Sequence, residues 1–178
     1  MNLSIAAERS RSPTLRAASV RISRQLRASP ERIFNAWLDA GELQAFLLAG
    51  GIAACMRPEI DARVGGEFRI VGHGPRGAVE YSGEYLEIDR PQRLVFSLFV
   101  EKYAQWDDRV IVELAPVAGQ SLLVLTHELS LPNPVQRSRV RRGWVRVLDG
   151  LATACTGRPG RESQVSTAAR RATPERPW

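Results

Sequence analysis

Lysine is almost absent from this chain: Lys102 stands alone among 25 basic residues, and the rest are arginine. We read the skew as codon bias and give it no functional weight. Cysteine is nearly as scarce. Cys55 and Cys155 lie far apart without CxxC spacing, which excludes a disulfide framework and a thiol-based zinc site; two buried thiols in a reducing cytosol are expected. The two histidines, His73 and His127, are also distant in sequence, so three or four metal ligands at compatible positions are not available. Neither a metal nor an organic cofactor is expected. No stretch approaches the roughly 18 apolar residues of a membrane span. The opening MNLSIAAERSRSPTLRAAS has no continuous apolar run of the secretory kind, so a soluble, cytoplasmic protein without membrane contact is expected. A GxSxG elbow, a P-loop lysine and a dinucleotide fingerprint are all missing. Gly65-Gly66 precedes a strand pattern and reads as turn chemistry.

The chain has 178 residues, is 44% hydrophobic and carries a formal net charge of +6. That charge sits mainly at the ends. Arg9, Arg11 and Arg16 against Glu8 give residues 1–19 a net +2, and five arginines against Glu162 and Glu175 give residues 156–178 a net +3, which leaves +1 for the middle. The middle therefore lacks the footprint of a phosphate-backbone binder, and no nucleic-acid partner is expected. Both ends are poor in periodic apolar residues and rich in Ser, Ala, Arg, Gly, Thr and Pro. Such segments bury too little surface to offset their ordering entropy. We expect a disordered arm over 1–19, one domain over 20–155 and a disordered basic tail over 156–178.

Within the domain, Val20, Ile22 and Leu26 share one face of a strand, with Arg21, Ser23 and Arg27 on the other. Ser29-Pro30-Glu31 supplies an N-cap, a proline for the first helical position and an acid for the positive end of a helix. Ile33, Phe34, Trp37 and Leu38 then form an apolar helix face. Asp39-Ala40-Gly41 ends this helix, and a short second one covers 42–48. Period-two runs follow over roughly 54–62, 66–73, 79–89, 93–101, 107–115 and 120–128, separated by Gly- and Pro-containing turns short enough for an antiparallel meander. Pro132 and Pro134 open a last helix over 135–154, striped by Val140, Trp144, Val147, Leu148 and Leu151. No internal repeat is present.

The segment VRISRQLRASPERIFNAWLDAGEL resembles the opening of the START-like, polyketide-cyclase-like superfamily, in the branch of homologues of the activator of the heat-shock-protein-90 ATPase. PEIDARVGGEFRI (58–70), SGEYLEIDRPQRLVFS (82–97), RVIVEL (109–114), LVLTHE (123–128) and GWVRVLDGL (143–151) extend the resemblance over about residues 20–154. It implies an α+β helix-grip fold: a curved seven-stranded antiparallel sheet wrapped around a long C-terminal helix, with a ligand cavity between them. The aromatic pair frequent after the first helix in this family is reduced here to Phe46, followed by Leu47, which implies a wider, more aliphatic mouth to the cavity.

Within such a cavity His127 belongs with Leu123 and Leu125 by alternation. With Glu84 or Tyr81 nearby it would serve as acid or base; as a hydrogen-bonded structural histidine it would only hold the sheet, and that reading is favoured. His73, in a Gly-Pro turn, is expected in solvent. Trp37 and Trp144 are core candidates first and ligand platforms second. Arg137, Arg139, Arg141, Arg142 and Arg146 read as a solvated helix face, with an anionic partner as the alternative. The residues expected to line the cavity are Trp144, Leu148, His127 and Leu125. Tyr81, Glu84 and Phe46 complete the set, and no catalytic residue is assigned.

Binding of a hydrophobic small molecule is the function these features favour. A cyclase- or hydrolase-like enzyme using the same cavity and a cochaperone-like protein-interaction module, monomeric or homodimeric, are the alternatives. A chain trimmed to residues 20–155 should keep the full chain's thermal midpoint within a few degrees by calorimetry. A large drop would show that one end packs on the domain.

Overall fold

The computed structural model describes residues 19–51, 57–74, 77–101, 108–130 and 134–156. Strand β1 (Ser19–Leu26) alternates as expected, with Val20, Ile22 and Leu26 buried. Helix α1 (Pro30–Leu38) starts where the local chemistry dictates: the Ser29 hydroxyl accepts from the Arg32 amide at 3.3 Å, Pro30 needs no amide partner, and Ile33, Phe34, Ala36 and Trp37 are buried. Asp39 ends α1, as expected, with its amide on the Asn35 carbonyl, and at once caps the next helix. Its carboxylate accepts from the Glu42 amide at 2.8 Å, so Ala40 and Gly41 open helix α2 (Ala40–Ala49) two residues before the expected start. An Arg32–Glu42 ion pair ties the two helices.

Of the expected strand over 54–62, residues 52–56 lie outside the described residues, and residues 57–62 hold β2 (Glu59–Ile60). It stops at Ile60 because Asp61 to Gly66 turn into a tight loop with Arg63 N–H to Asp61 O and Gly66 N–H to Arg63 O, and the loop bonds onward through Asp61 N–H to Glu67 O and Gly65 N–H to Tyr85 O. The other strands fall close to expectation: β3 (Glu67–Gly74), β4 (Gly77–Asp89), β5 (Arg93–Val100), β6 (Asp108–Val117) and β7 (Gln120–Glu128). Gly72, His73 and Gly74 remain within β3, where His73 pairs with Ala78 and is exposed. Ala118 and Gly119, both with positive φ, form the two-residue β6–β7 hairpin.

All neighbouring strands are antiparallel, in the order β1-β7-β6-β5-β4-β3-β2. Ser19 opens β1 and Thr156 closes the last helix, α3 (Pro134–Thr156); the rest of the expected arm and tail lies outside the described residues. The curved sheet grips α3 against its concave face, giving the α+β helix-grip fold. Val147, Leu148 and Leu151 of α3 meet Leu26, Leu94, Leu114, Leu123 and Leu125 of the sheet in one cluster. The five arginines of α3 are exposed on its other side. None of the helices described is long and apolar enough to cross a membrane.

Helices α2 and α3 touch backbone to backbone. A Cβ on Gly150 would stand 2.1 Å from the Phe46 carbonyl oxygen and 2.5 Å from the Gly50 nitrogen, and a Cβ on Gly50 would stand 2.5 Å from the Arg146 carbonyl oxygen. Helix propensity alone favours alanine over glycine by about 1 kcal/mol. We predict the opposite sign here: Gly150→Ala should lower stability by about 1–3 kcal/mol in denaturant unfolding, because two helix backbones must separate. A stabilised variant would refute the close approach.

Candidate ligand-binding site

Register assigns the concave face. Phe68 pairs with Gly83, Ile70 with Tyr81, Tyr81 with Val100, Tyr85 with Phe96, and Phe96 with Val110. Because side chains alternate along a strand, these residues look toward α3. At the β1–β7–β6 side and the C-terminal half of α3 the space is filled: Leu26, Leu94, Leu123, Leu125, Leu148 and Leu151 are all at most 1% exposed. Toward β3, β4 and the free end of β5 burial is less complete. Ile70, Val79, Tyr81, Leu98 and Val100 are only half-buried, as are Val140 and Trp144 on the N-terminal half of α3. An aromatic group lies between the two regions. Phe96 stands 5.5 Å from Phe68 and 6.3 Å from Trp37, and Trp37 stands 5.3 Å from Phe46 and 6.2 Å from Trp144, centroid to centroid.

A chain of hydrogen bonds fixes α3 to the sheet beside this group. The Trp144 indole N–H donates to His127 Nδ1 at 2.8 Å, His127 Nε2 meets Asp108 Oδ2 at 3.0 Å, and the Ser130 amide donates to Asp108 Oδ1 at 2.8 Å. An indole can only donate, so Nδ1 is the acceptor and the imidazole proton sits on Nε2, where it donates to the carboxylate. Burial alone would raise the Asp108 pKa, but the hydrogen bonds from His127 and Ser130 outweigh it and hold the carboxyl below its ordinary value. The side chains are almost closed to solvent, 4% exposed for His127 and 16% for Asp108. A carboxylate behind an imidazole is half of an acid–base device, yet the nitrogen that would act as base is occupied by Trp144.

The structure brings His127 and Trp144 together, as the two periodicities implied. It does not bring Glu84 or Tyr81 to His127, whose partners are Asp108 and Trp144. Glu84 is exposed on the convex side of β4, an odd number of residues from both Tyr81 and Tyr85, and its amide bonds the Ser97 hydroxyl at 3.0 Å. Tyr81 is half-buried on the concave face, in the less completely buried region. Leu125, Leu148 and Phe46 are each 0% exposed within the core, and Leu47 is buried beside Phe46, so neither of the latter stands at an open mouth. Burial pushes the Tyr85 phenol and the half-buried Cys155 thiol up, which disfavours a reactive thiolate; Cys55 lies outside the described residues. Asp108 was missed in the sequence although it carried a signal: two residues before Val110, it shares the face of Val110, Val112 and Leu114. Among the described residues no three His, Cys, Asp or Glu side chains stand close enough to hold a metal ion. A groove of about 440 Å³ between β1 and the start of α3 is lined by Val20, Arg21, Pro134, Arg137, Ser138 and Arg141, three of them arginines.

A seven-stranded sheet gripping one long helix defines the class of fold, and the family follows from the sequence. Residues 27–156 match the family of Activator of Hsp90 ATPase homolog 1-like proteins, and the chain belongs to it. No curated protein matches this chain. Solved structures do. Protein CV1439 from Chromobacterium violaceum is 26% identical with a TM-score of 0.70, over 77% of this chain and 96% of that one. CalU16 from Micromonospora echinospora is 24% identical with a TM-score of 0.62, over 79% and 78%. A protein from Arthrobacter aurescens is 15% identical with a TM-score of 0.68, over 84% and 92%. The last two likenesses speak for the fold alone.

The hydrogen-bond chain generates a pH prediction. A carboxyl whose pKa is depressed by folding adds stability above its ordinary value of 3.8, and this is lost as pH falls through the folded value. Asp108→Asn, whose amide group cannot accept both bonds, should cost about 1–3 kcal/mol at pH 7 in urea unfolding. The gap to the unaltered protein should narrow as pH falls below 3.8. An equal gap at pH 7 and pH 3 would show that the carboxylate contributes nothing through its charge.

Proposed function

We propose that this domain binds a small, largely apolar molecule in the cytoplasm, between α3 and the β3–β5 side of the concave face. One observation carries the reading: the apolar residues of that face are packed to closure at one side and left half-buried at the other, around Ile70, Tyr81, Leu98 and Trp144. Apolar surface of this kind gains about 25 cal/mol per Å² when a ligand covers it, before the entropic cost of association. Trp144 and Tyr81 are the ligand contacts of first rank. His127 holds Trp144 in place, while Leu125, Leu148 and Phe46 form the floor on which the site rests.

The saturated bonding of His127 supports binding over acid–base chemistry. The large apolar residues exposed on the surface, among them Leu48, Val64, Leu86 and Val135, come from different elements, as is ordinary for a globular surface, and do not argue for a protein-docking face. The Hsp90 activator in the family's name lends the fold but no activity.

Titration with 1-anilinonaphthalene-8-sulfonate, read by energy transfer from tryptophan, tests the proposal. Saturable binding near 1:1 is expected, and Ile70→Glu should abolish it while circular dichroism stays unchanged, because Ile70 lies outside the closed core. Equal binding by Ile70→Glu would place the dye elsewhere and remove the proposal.

A further inference from the structure

Trp37 projects from α1 into the aromatic group and is 6% exposed. Its Nε1–H lies wholly out of solvent and meets no hydrogen-bond acceptor among the described residues. The rings around it belong to Phe46, Phe96 and Trp144, none of which offers an acceptor oxygen. The indole of Trp144, by contrast, is fully satisfied by His127. Buried donors without partners are rare in folded proteins, because the bond to water is given up and nothing replaces it. A phenylalanine would fill an apolar niche without this cost. The indole stands beside the half-buried region: one neighbouring ring, at 6.2 Å, is that of half-buried Trp144, and another, at 6.3 Å, is that of Phe96, two residues before Leu98 on the concave side of β5.

We infer that the Trp37 indole N–H is a hydrogen-bond donor to the bound molecule, which therefore carries an acceptor oxygen of the carbonyl class on a flat apolar skeleton. The inference rests on the reading of the concave face as a ligand site and adds the chemistry that selects among apolar molecules. Flatness follows from the aromatic lining: a planar ring system makes edge-to-face and tilted contacts with such rings more readily than a bulky aliphatic one. Selectivity follows from the donor, since a hydrocarbon of the same outline leaves Nε1–H unpaired, whereas a ketone satisfies it.

A matched pair of probes, 9-fluorenone and fluorene, separates the two ideas because they differ only at C9, a carbonyl in one and a methylene in the other. Dissociation constants are measured for the intact protein and for Trp37→Phe. The ratio of affinities, ketone over hydrocarbon, should fall by roughly three- to tenfold in Trp37→Phe, the range open to one neutral hydrogen bond. An unchanged ratio with both probes still bound overturns the role of Trp37 and leaves the ligand site standing. Failure of both probes to bind the intact protein overturns the site and this inference with it. Should Trp37→Phe fold poorly, the intact protein answers through its assigned Trp37 indole ¹⁵N–¹H resonance. That resonance should move downfield with fluorenone and much less with fluorene. Equal shifts, or none with fluorenone, would mean that the Phe46 ring face already serves the N–H, and would overturn the inference.

Discussion

Everything on the concave face depends on where α3 lies, and one hydrogen-bonded chain decides that at its N-terminal half. Hydrophobic burial holds the C-terminal half, where Val147, Leu148 and Leu151 sink into the leucines of the sheet. Such packing is strong but tolerant of small slides and rotations. The Trp144–His127–Asp108 chain is directional: it joins α3 to β7 and β6, and the Ser130 amide anchors its far end. Each member satisfies the next, so a rotated helix would leave the Trp144 indole and the buried Nδ1 of His127 without each other, while Asp108 keeps its bonds to His127 and Ser130. The Arg24–Asp149 pair, at 3.3 Å with side chains 35% and 60% exposed, adds little by comparison.

With α3 fixed, the two ends of the domain acquire different characters. The backbone contact of α2 with α3 at Gly50 and Gly150 closes one side against further entrance. On the other side, Val140 and Trp144 of the same helix and the concave apolar residues of β3, β4 and β5, among them Ile70, Tyr81 and Leu98, stay half-buried. The family's architecture thus becomes, in this chain, a solid core with one less completely buried end. The aromatic group of Trp37, Phe46, Phe68, Phe96 and Trp144 stands at the junction.

Much of this was legible in the sequence because it rests on short-range rules. The Ser29 cap, the burial of Ile33, Phe34 and Trp37, the strand alternations and the inward turn of His127 all follow from periods of 3.6 and 2. The same rule, applied strictly, would have separated Glu84 from Tyr81, since three steps along a strand change the face. Asp108 was legible by parity with Val110. What parity does not carry is partnership: that Trp144 and Asp108 close on the two nitrogens of His127 depends on how α3 crosses the sheet. The stop of β2 at Ile60 arises from a loop closed by its own backbone hydrogen bonds, and the helical start at Ala40 arises from the Asp39 cap; both are local competitions whose winner composition does not reveal.

Whether the Trp144–His127–Asp108 chain fixes α3 can be read from the tautomer of His127. A long-range ¹H–¹⁵N correlation spectrum of the imidazole at neutral pH distinguishes the two ring nitrogens. A proton on Nε2 and a bare, hydrogen-bonded Nδ1 are expected, together with a Trp144 indole proton that exchanges slowly. A proton on Nδ1 would contradict this, since the Trp144 indole could not then donate there and the chain fixing α3 would not exist.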